Sequence, residues 1–246
     1  MHGGVAYPSG RFLRSGEVPG VERDEQRDDA GSVERVSFPD DEQVFPWLSM
    51  LLDAYRITDE GVAEGVRREE AQGRRLACHK GCAACCRTHS TIPVYPLELV
   101  GVSWYATEKI GGVARVQLKR QLRDYEEDRP CPFLIDGACS VYPVRPMACR
   151  QFNVFDQVCA GGEDPYYTRR EDVLTPIREY ADQAFYTMLP FYGIEDPLER
   201  ARTVEAGAVH KLAGMLQTCN WKTLAEKMDE YDQVQSDTRA DDSAEA

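Results

Sequence analysis

No stretch of this chain approaches the roughly 20 consecutive apolar residues that carry a helix across a bilayer. Its opening, MHGGVAYPSGRFLRS, has no apolar run of signal-peptide length and no small-residue cleavage site behind one. A cytoplasmic protein with no membrane partner is therefore expected, in a compartment that keeps thiols reduced. Basic excess is lacking as well: the net charge of −13 and a pI near 4.8 argue against nucleic acid as a partner. A glycine-rich nucleotide loop after a strand is missing, and so are internal repeats and any alternation of strands with helices.

The acid is unevenly placed. From 1 to 40 there are eight acidic and five basic residues, and from 229 to 246 seven against one, whereas 77–160 holds ten Lys and Arg against eight Asp and Glu. The two acidic ends read as solvated tails. The expected organisation is a disordered acidic segment over 1–40, a single helical domain over 41–235 containing a cysteine-rich region at 77–160, and a disordered acidic tail over 236–246.

Pro46 suits the first turn of a helix that buries Trp47, Leu48, Leu51, Leu52 and Tyr55 on one stripe. Thr58 is placed to cap a second helix running toward Arg74. Pro96 opens another with Leu97, Val100, Trp104 and Tyr105, stopped by Gly111 and Gly112, and a charged helix is expected over Val113 to Glu127. Asp136-Gly137 predicts a hairpin turn between short strands in Pro132 to Val141. Thr175 and Pro176 predict the start of a helix with Ile177, Tyr180, Ala184, Phe185 and Met188 on its buried face, ended by Pro190. Asp196-Pro197 starts the next, with Leu198, Val204, Ala208, Leu212 and Met215 as core candidates. A last helix carries Trp221, Leu224, Met228 and Tyr231. The fold class expected is mainly α: a helical bundle around an irregular cysteine-rich metal-binding core, with little or no β.

Eight of the nine cysteines fall between 78 and 159. Cys78, Cys82, Cys85 and Cys86 run as C-x3-C-x2-C-C; after 44 intervening residues Cys131, Cys139, Cys149 and Cys159 follow as C-x7-C-x9-C-x9-C. Adjacent cysteines pair with each other only under strain, and a reducing compartment disfavours disulfides further. Eight thiols set among Gly, Pro and Arg, rather than on an amphipathic stripe, are explained best by a metal that stabilises thiolates. Structural zinc commonly takes two C-x2-C knuckles, and only Cys82–Cys85 is such a pair. Iron-sulfur clusters accept irregular spacing, so a 4Fe-4S type is favoured, with zinc or a mononuclear or multinuclear iron centre as the alternative. Lys80, Arg87, Arg145 and Arg150 lie within four residues of a ligand candidate, and Arg145 and Arg150, which flank Cys149, are the expected cofactor-binding cations. His79 and His89 flank the cluster as secondary ligand candidates, His210 reads as a packing residue, and Cys219 is left out. Trp104, Tyr105, Phe133, Tyr142, Phe152 and Phe155 are candidates to shield a cluster from water.

CHKGCAACC at 78–86 and CPFLIDGACSVYPVRPMACRQF at 131–152 resemble the bacterial eight-cysteine family of zinc- or iron-chelating proteins with signature CxxCxxCC. The first interval here is three residues rather than two. That resemblance implies metal binding by the eight cysteines, with flagellin lysine N-methylase among the longer relatives. The spacing at 78, 82 and 85 is also that of radical S-adenosylmethionine enzymes, but Ala84 stands where an aromatic is usual and no strand-helix repeats follow. Three functions follow from this: a metal-binding protein with a redox or metal-handling role, a metal-dependent enzyme of the lysine N-methylase-like type, or an adaptor stapled by structural zinc. Metal ions are the expected partners, and a protein partner is left open.

Overall fold

A computed structural model describes residues 33–127 and 129–244. Most of the expected disordered segment, residues 1–32, lies outside the described residues, as do 245 and 246. In chain order the elements are α1 (Pro39–Val44), α2 (Pro46–Ala71), α3 (Ala84–Thr88), β1 (Pro93–Val94), α4 (Pro96–Glu108), α5 (Gly112–Arg123), β2 (Leu134–Ile135), β3 (Ala138–Cys139), α6 (Met147–Gln151), α7 (Pro165–Thr168), α8 (Arg178–Met188), α9 (Pro197–Glu205), β4 (Gly214–Met215) and α10 (Trp221–Ala244). Short 3-10 turns join several of them. The fold is mainly α, as expected. Among the described residues, strand structure amounts to two antiparallel pairs of two residues each, β1 with β4 and β2 with β3. Among the described residues no helix is long and apolar enough to cross a membrane.

α2 is one helix where two are expected from sequence. Thr58 does not cap a new start; its Oγ1 donates to the carbonyl of Ala54 at 2.8 Å, so the hydroxyl is satisfied within the same helix. Leu48, Leu51, Leu52 and Tyr55 are buried on its inner face. Further along, α8 crosses so closely that a Cβ on Gly61 would stand 2.6 Å from Cβ of Tyr180. A mid-helix glycine costs about 0.5–1 kcal/mol, and here it is what lets the two backbones approach.

α4, α5 and α10 complete the frame. Leu97 and Val102 of α4, Leu118 and Leu122 of α5, and Leu224 and Met228 of α10 share one core with α2. The acid of α10 is not a solvated tail at this point: Asp232 pairs with Arg115 at 2.8 Å and Lys119 at 2.6 Å, and Asp229 pairs with Lys119 at 2.7 Å and with Arg123. Arg115 also donates to the carbonyls of Ala106, Thr107 and Ile110, which closes the C-terminal end of α4. α10 itself continues to Ala244, past the boundary expected at 235. At the other end the ordered fold begins before residue 41. Arg35 donates to Glu42 and Asp53, and Phe38 stacks edge-on against Trp104 at 5.0 Å.

Other boundaries shift for local reasons. α5 stops at Arg123 rather than Glu127. α8 starts at Arg178, with Ile177 at the cap and no side-chain capping bond, so Thr175 and Pro176 precede the helix instead of opening it. Asp196 does cap α9, accepting from the N–H groups of Leu198 and Glu199. Leu198, Leu212 and Met215, expected in the core, are exposed, and Val209 and Leu216 are buried in their place. The chain leaves α9 at Glu205 and turns through Gly207 at φ 63°, which breaks the helical spacing on which that expectation depends.

Candidate metal centre

The cysteine segment leaves α2 through Gly73 and is pinned at once. Arg74 spans Asp156 at 2.8 Å, Asp172 at 2.6 Å and the carbonyl of Glu171 at 2.7 Å. Beside it the chain at 76–77 bridges 154–155, and 154 in turn bridges 173. This small ladder seats a second apolar cluster of Val66, Phe155 and Leu174, and it carries Cys78, whose Sγ accepts from the N–H of Val154 at 3.3 Å.

Cys85 and Cys86 follow on the short helix α3. The carbonyl of Cys86 accepts from the N–H of Cys131 at 2.7 Å, which joins the two cysteine blocks across 45 residues of sequence. Their thiols act on one another across the same junction: Cys86 raises Cys85, and Cys131 raises Cys86. Cys139 ends the predicted hairpin. Asp136 and Gly137 form its turn, both left-handed with φ of 48° and 79°, the pair that a tight two-residue hairpin requires. Cys149 sits on α6. All nine cysteines are free thiols. Among the described residues, no three Cys, His, Asp or Glu side chains stand as a ready-made metal shell.

Burial and neighbouring thiols hold Cys78, Cys85, Cys86, Cys139 and Cys149 above the ordinary thiol range. Burial pushes Cys149 well above its ordinary value and raises Cys139 and Cys78. The Cys131 thiol, with burial, pushes Cys86 up to about 12 against the lowering effect of Cys85, and the Cys86 thiol raises Cys85. A metal ion would reverse that balance, because its charge stabilises the thiolate directly.

Arg145 and Arg150 part company. Arg145 places its guanidinium 4.2 Å over the ring of Tyr142, and its positive charge lowers Cys78, Cys85, Cys139 and Cys149 against their dominant upward shifts. Its Nε is buried without a hydrogen-bond partner. Arg150, expected beside it as a cofactor-binding cation, has its nitrogens committed elsewhere: to Asp59 of α2 at 2.5 Å and to the carbonyls of Pro143 at 2.6 Å and Arg145 at 2.9 Å. It also lies 4.0 Å over the ring of Tyr55. Arg150 thus holds the loop before Cys149, while its charge also lowers the Cys139 thiol against the larger effect of burial.

Sequence reasoning passed over Glu98. This fully buried carboxylate accepts from the N–H of Tyr95 at 2.9 Å, completing a capping box on α4, and from the N–H of Met147 at 2.6 Å, the first residue of α6. The signal was present, since Glu98 stands three residues after the cap position. Its second bond, to the Cys149 helix, is long-range and has no such signal.

His89 packs edge-on to Phe152 at 4.3 Å, with its buried Nε2 3.3 Å from Asp164 but outside hydrogen-bond geometry. His79, Lys80 and Arg87 are exposed. His210 is exposed and receives its partner from Tyr95, whose hydroxyl is 2.8 Å from Nδ1. Of the aromatic candidates, Phe133 packs on Trp221 and Phe155 in the second cluster, while Trp104 and Tyr105 face Phe38.

Residues 77–172 match the model of the CxxCxxCC family, described as a "Putative zinc- or iron-chelating domain". The match encloses all eight clustered cysteines and leaves α1, α2 and α8 to α10 outside it. It bears out the resemblance carried by the two cysteine blocks and supports metal ions as what this segment binds. No curated protein and no solved structure matches the chain.

Proposed function

We propose that this is a metal-binding protein in which Cys78, Cys82, Cys85, Cys86, Cys131, Cys139, Cys149 and Cys159 hold iron as one or two clusters of the 4Fe-4S type, with a redox or metal-handling role in the cytoplasm. One observation carries the choice of an anionic cluster: the Nε–H of Arg145, buried and unpartnered, in a segment whose thiols feel that guanidinium's charge. Leaving a buried donor unpaired costs about 1–3 kcal/mol, a cost that a negatively charged acceptor would remove. The donor set fits such a group in chemistry, since thiolates ligate iron and a nearby N–H donor tunes a cluster's sulfurs. When bound, the cluster would supply electron transfer or a store of iron. The chain's own residues do the rest: Arg145 offsets the negative charge, Glu98 and Arg150 hold α6 and its approach, and burial limits water at Cys131.

The test is iron, zinc and acid-labile sulfide measured on protein purified without oxygen, with the visible absorption spectrum. Iron and sulfide in matching amounts, with charge-transfer absorption, support the proposal. Zinc without sulfide would replace the cluster with structural zinc, and a metal-free folded chain would end the proposal.

A further inference from the structure

Cys159 is carried by an irregular loop, residues 156–164, that ends at Asp164, the cap of α7. One unbroken chain of ion pairs runs around it. Asp156 accepts from Nε of Arg74 at 2.8 Å, and the same guanidinium donates to Asp172 at 2.6 Å. The other carboxylate oxygen of Asp172 accepts from Arg169 at 3.0 Å, and Arg169 donates through Nε to Glu163 at 2.8 Å. Asp156 thus holds the entry to the loop and Glu163 its exit, on either side of Cys159.

The Arg169 and Glu163 pair also grips the loop between these ends. The remaining nitrogen of Arg169 donates to the carbonyl of Gln157 at 2.8 Å, and the second oxygen of Glu163 accepts from the N–H of Ala160 at 2.7 Å. The N–H of Glu163 donates to the carbonyl of Ala160 at 3.1 Å, closing a turn through Gly161 and Gly162. Two consecutive glycines beside the thiol make that turn costly to order, and the bonds to Arg169 and Glu163 offset the cost. Both side chains are largely withdrawn from water, at 11% and 15% exposed, so their charge-assisted bonds hold geometry better than an open surface pair does. Cys82, by contrast, is exposed on a turn at Gly81 closed by its own N–H to the carbonyl of His79 at 3.0 Å.

Resting on the metal-binding reading above, we propose that Arg169 is the positioning residue for Cys159: with Glu163 it fixes the loop in the metal-free chain, so that this thiol is delivered by the protein rather than gathered in by the metal. Arg169 acts through Gln157 and Ala160, the backbone on either side of the thiol, and not as a ligand. A ligand whose backbone is already ordered loses less conformational freedom on binding, which favours retention. Arginine suits the task because Glu163, Asp172 and the Gln157 carbonyl are met by three nitrogens of one planar group. A lysine ammonium on a flexible stem cannot keep that array.

Two measurements on the full chain test this. Hydrogen exchange of protein stripped with EDTA reads the loop, and metal release into EDTA from protein purified without oxygen reads the thiol. Arg169→Ala should speed exchange at 156–164 and speed metal release on the order of tenfold, while exchange across α2 and α10 keeps the wild-type rate. Arg169→Lys should recover part of both effects. Glu163→Gln, a milder change that decides the matter if Arg169→Ala does not fold, should move both readings in the same direction. Faster loop exchange with unchanged metal release would make Arg169 a mere surface brace and overturn the proposal. Unchanged loop exchange in both Arg169→Ala and Glu163→Gln, or faster exchange throughout α2 and α10, would overturn it too. Each of these results leaves metal binding standing, whereas a wild-type chain purified without metal would end the metal-binding reading and this proposal with it.

Discussion

α2 and α8 meet through apolar packing over Gly61, whereas the short elements that carry the cysteines lean also on polar pins: Arg74 on Asp156 and Asp172, Glu98 on Met147, and Arg150 on Asp59 of α2. The first kind of contact stabilises in proportion to buried area and tolerates small shifts. Polar pins are directional, and each leaves a buried group unsatisfied if broken. A frame built the first way can stand alone, while a segment built the second way needs something at its centre. The comparison teaches that metal should matter to one region far more than to the other.

The largest expected effect is at the centre. Cys149→Ser should remove bound metal and lower stability by several kcal/mol, since ligation is coupled to folding, and hydrogen exchange should show the loss concentrated in 77–160. Next comes the frame. Leu51 is fully buried and packs over Gly101, so Leu51→Ala should cost about 2–5 kcal/mol in denaturant unfolding without changing metal per folded chain. Equal metal loss in this variant would erase the distinction between the regions.

The pins should be intermediate. Asp59→Ala strips Arg150 of its carboxylate; with Asp59 itself 29% exposed, about 1–3 kcal/mol is expected, together with faster release of metal because the loop before Cys149 loosens. Glu98→Gln acts through pH. Burial is the main cause that raises the Glu98 carboxyl from an ordinary 4.5 to about 7 in the fold, so the folded state binds this proton more tightly than the unfolded one. Stability from this group is therefore full below pH 4.5 and declines as pH rises through about 7. The variant should flatten that slope, and should start about 1–3 kcal/mol lower at pH 5, because an amide cannot accept from both Tyr95 and Met147. A slope that survives the substitution would remove Glu98 as its source.

Smallest of all is Cys219→Ser. Cys219 lies apart from the eight and its Sγ donates only to the carbonyl of Met215 at 3.3 Å, so a change within about 0.5 kcal/mol and an unaltered metal content are expected.

Local chemistry made much of this legible in advance. Proline at the first turn located α2, α4 and α9, Asp136-Gly137 located the hairpin, and the cysteine blocks located the centre. What escaped was decided at long range. Thr58 reads as a cap because its sequence neighbourhood cannot show that a continuous α2 has α8 to pack against. Arg150 reads as a cluster cation because Asp59 is 91 residues away. The two cysteine blocks read as two quartets, yet Cys86 of the first packs on the main core as Cys139 and Cys149 of the second do, which intervals do not show.

The most direct measurement is alkylation of the native protein, with and without chelator, read residue by residue by mass spectrometry. With metal bound, Cys219 should react while Cys78, Cys82, Cys85, Cys86, Cys131, Cys139, Cys149 and Cys159 are protected, and chelation should make those eight reactive. The same labelling pattern before and after chelation would contradict the account.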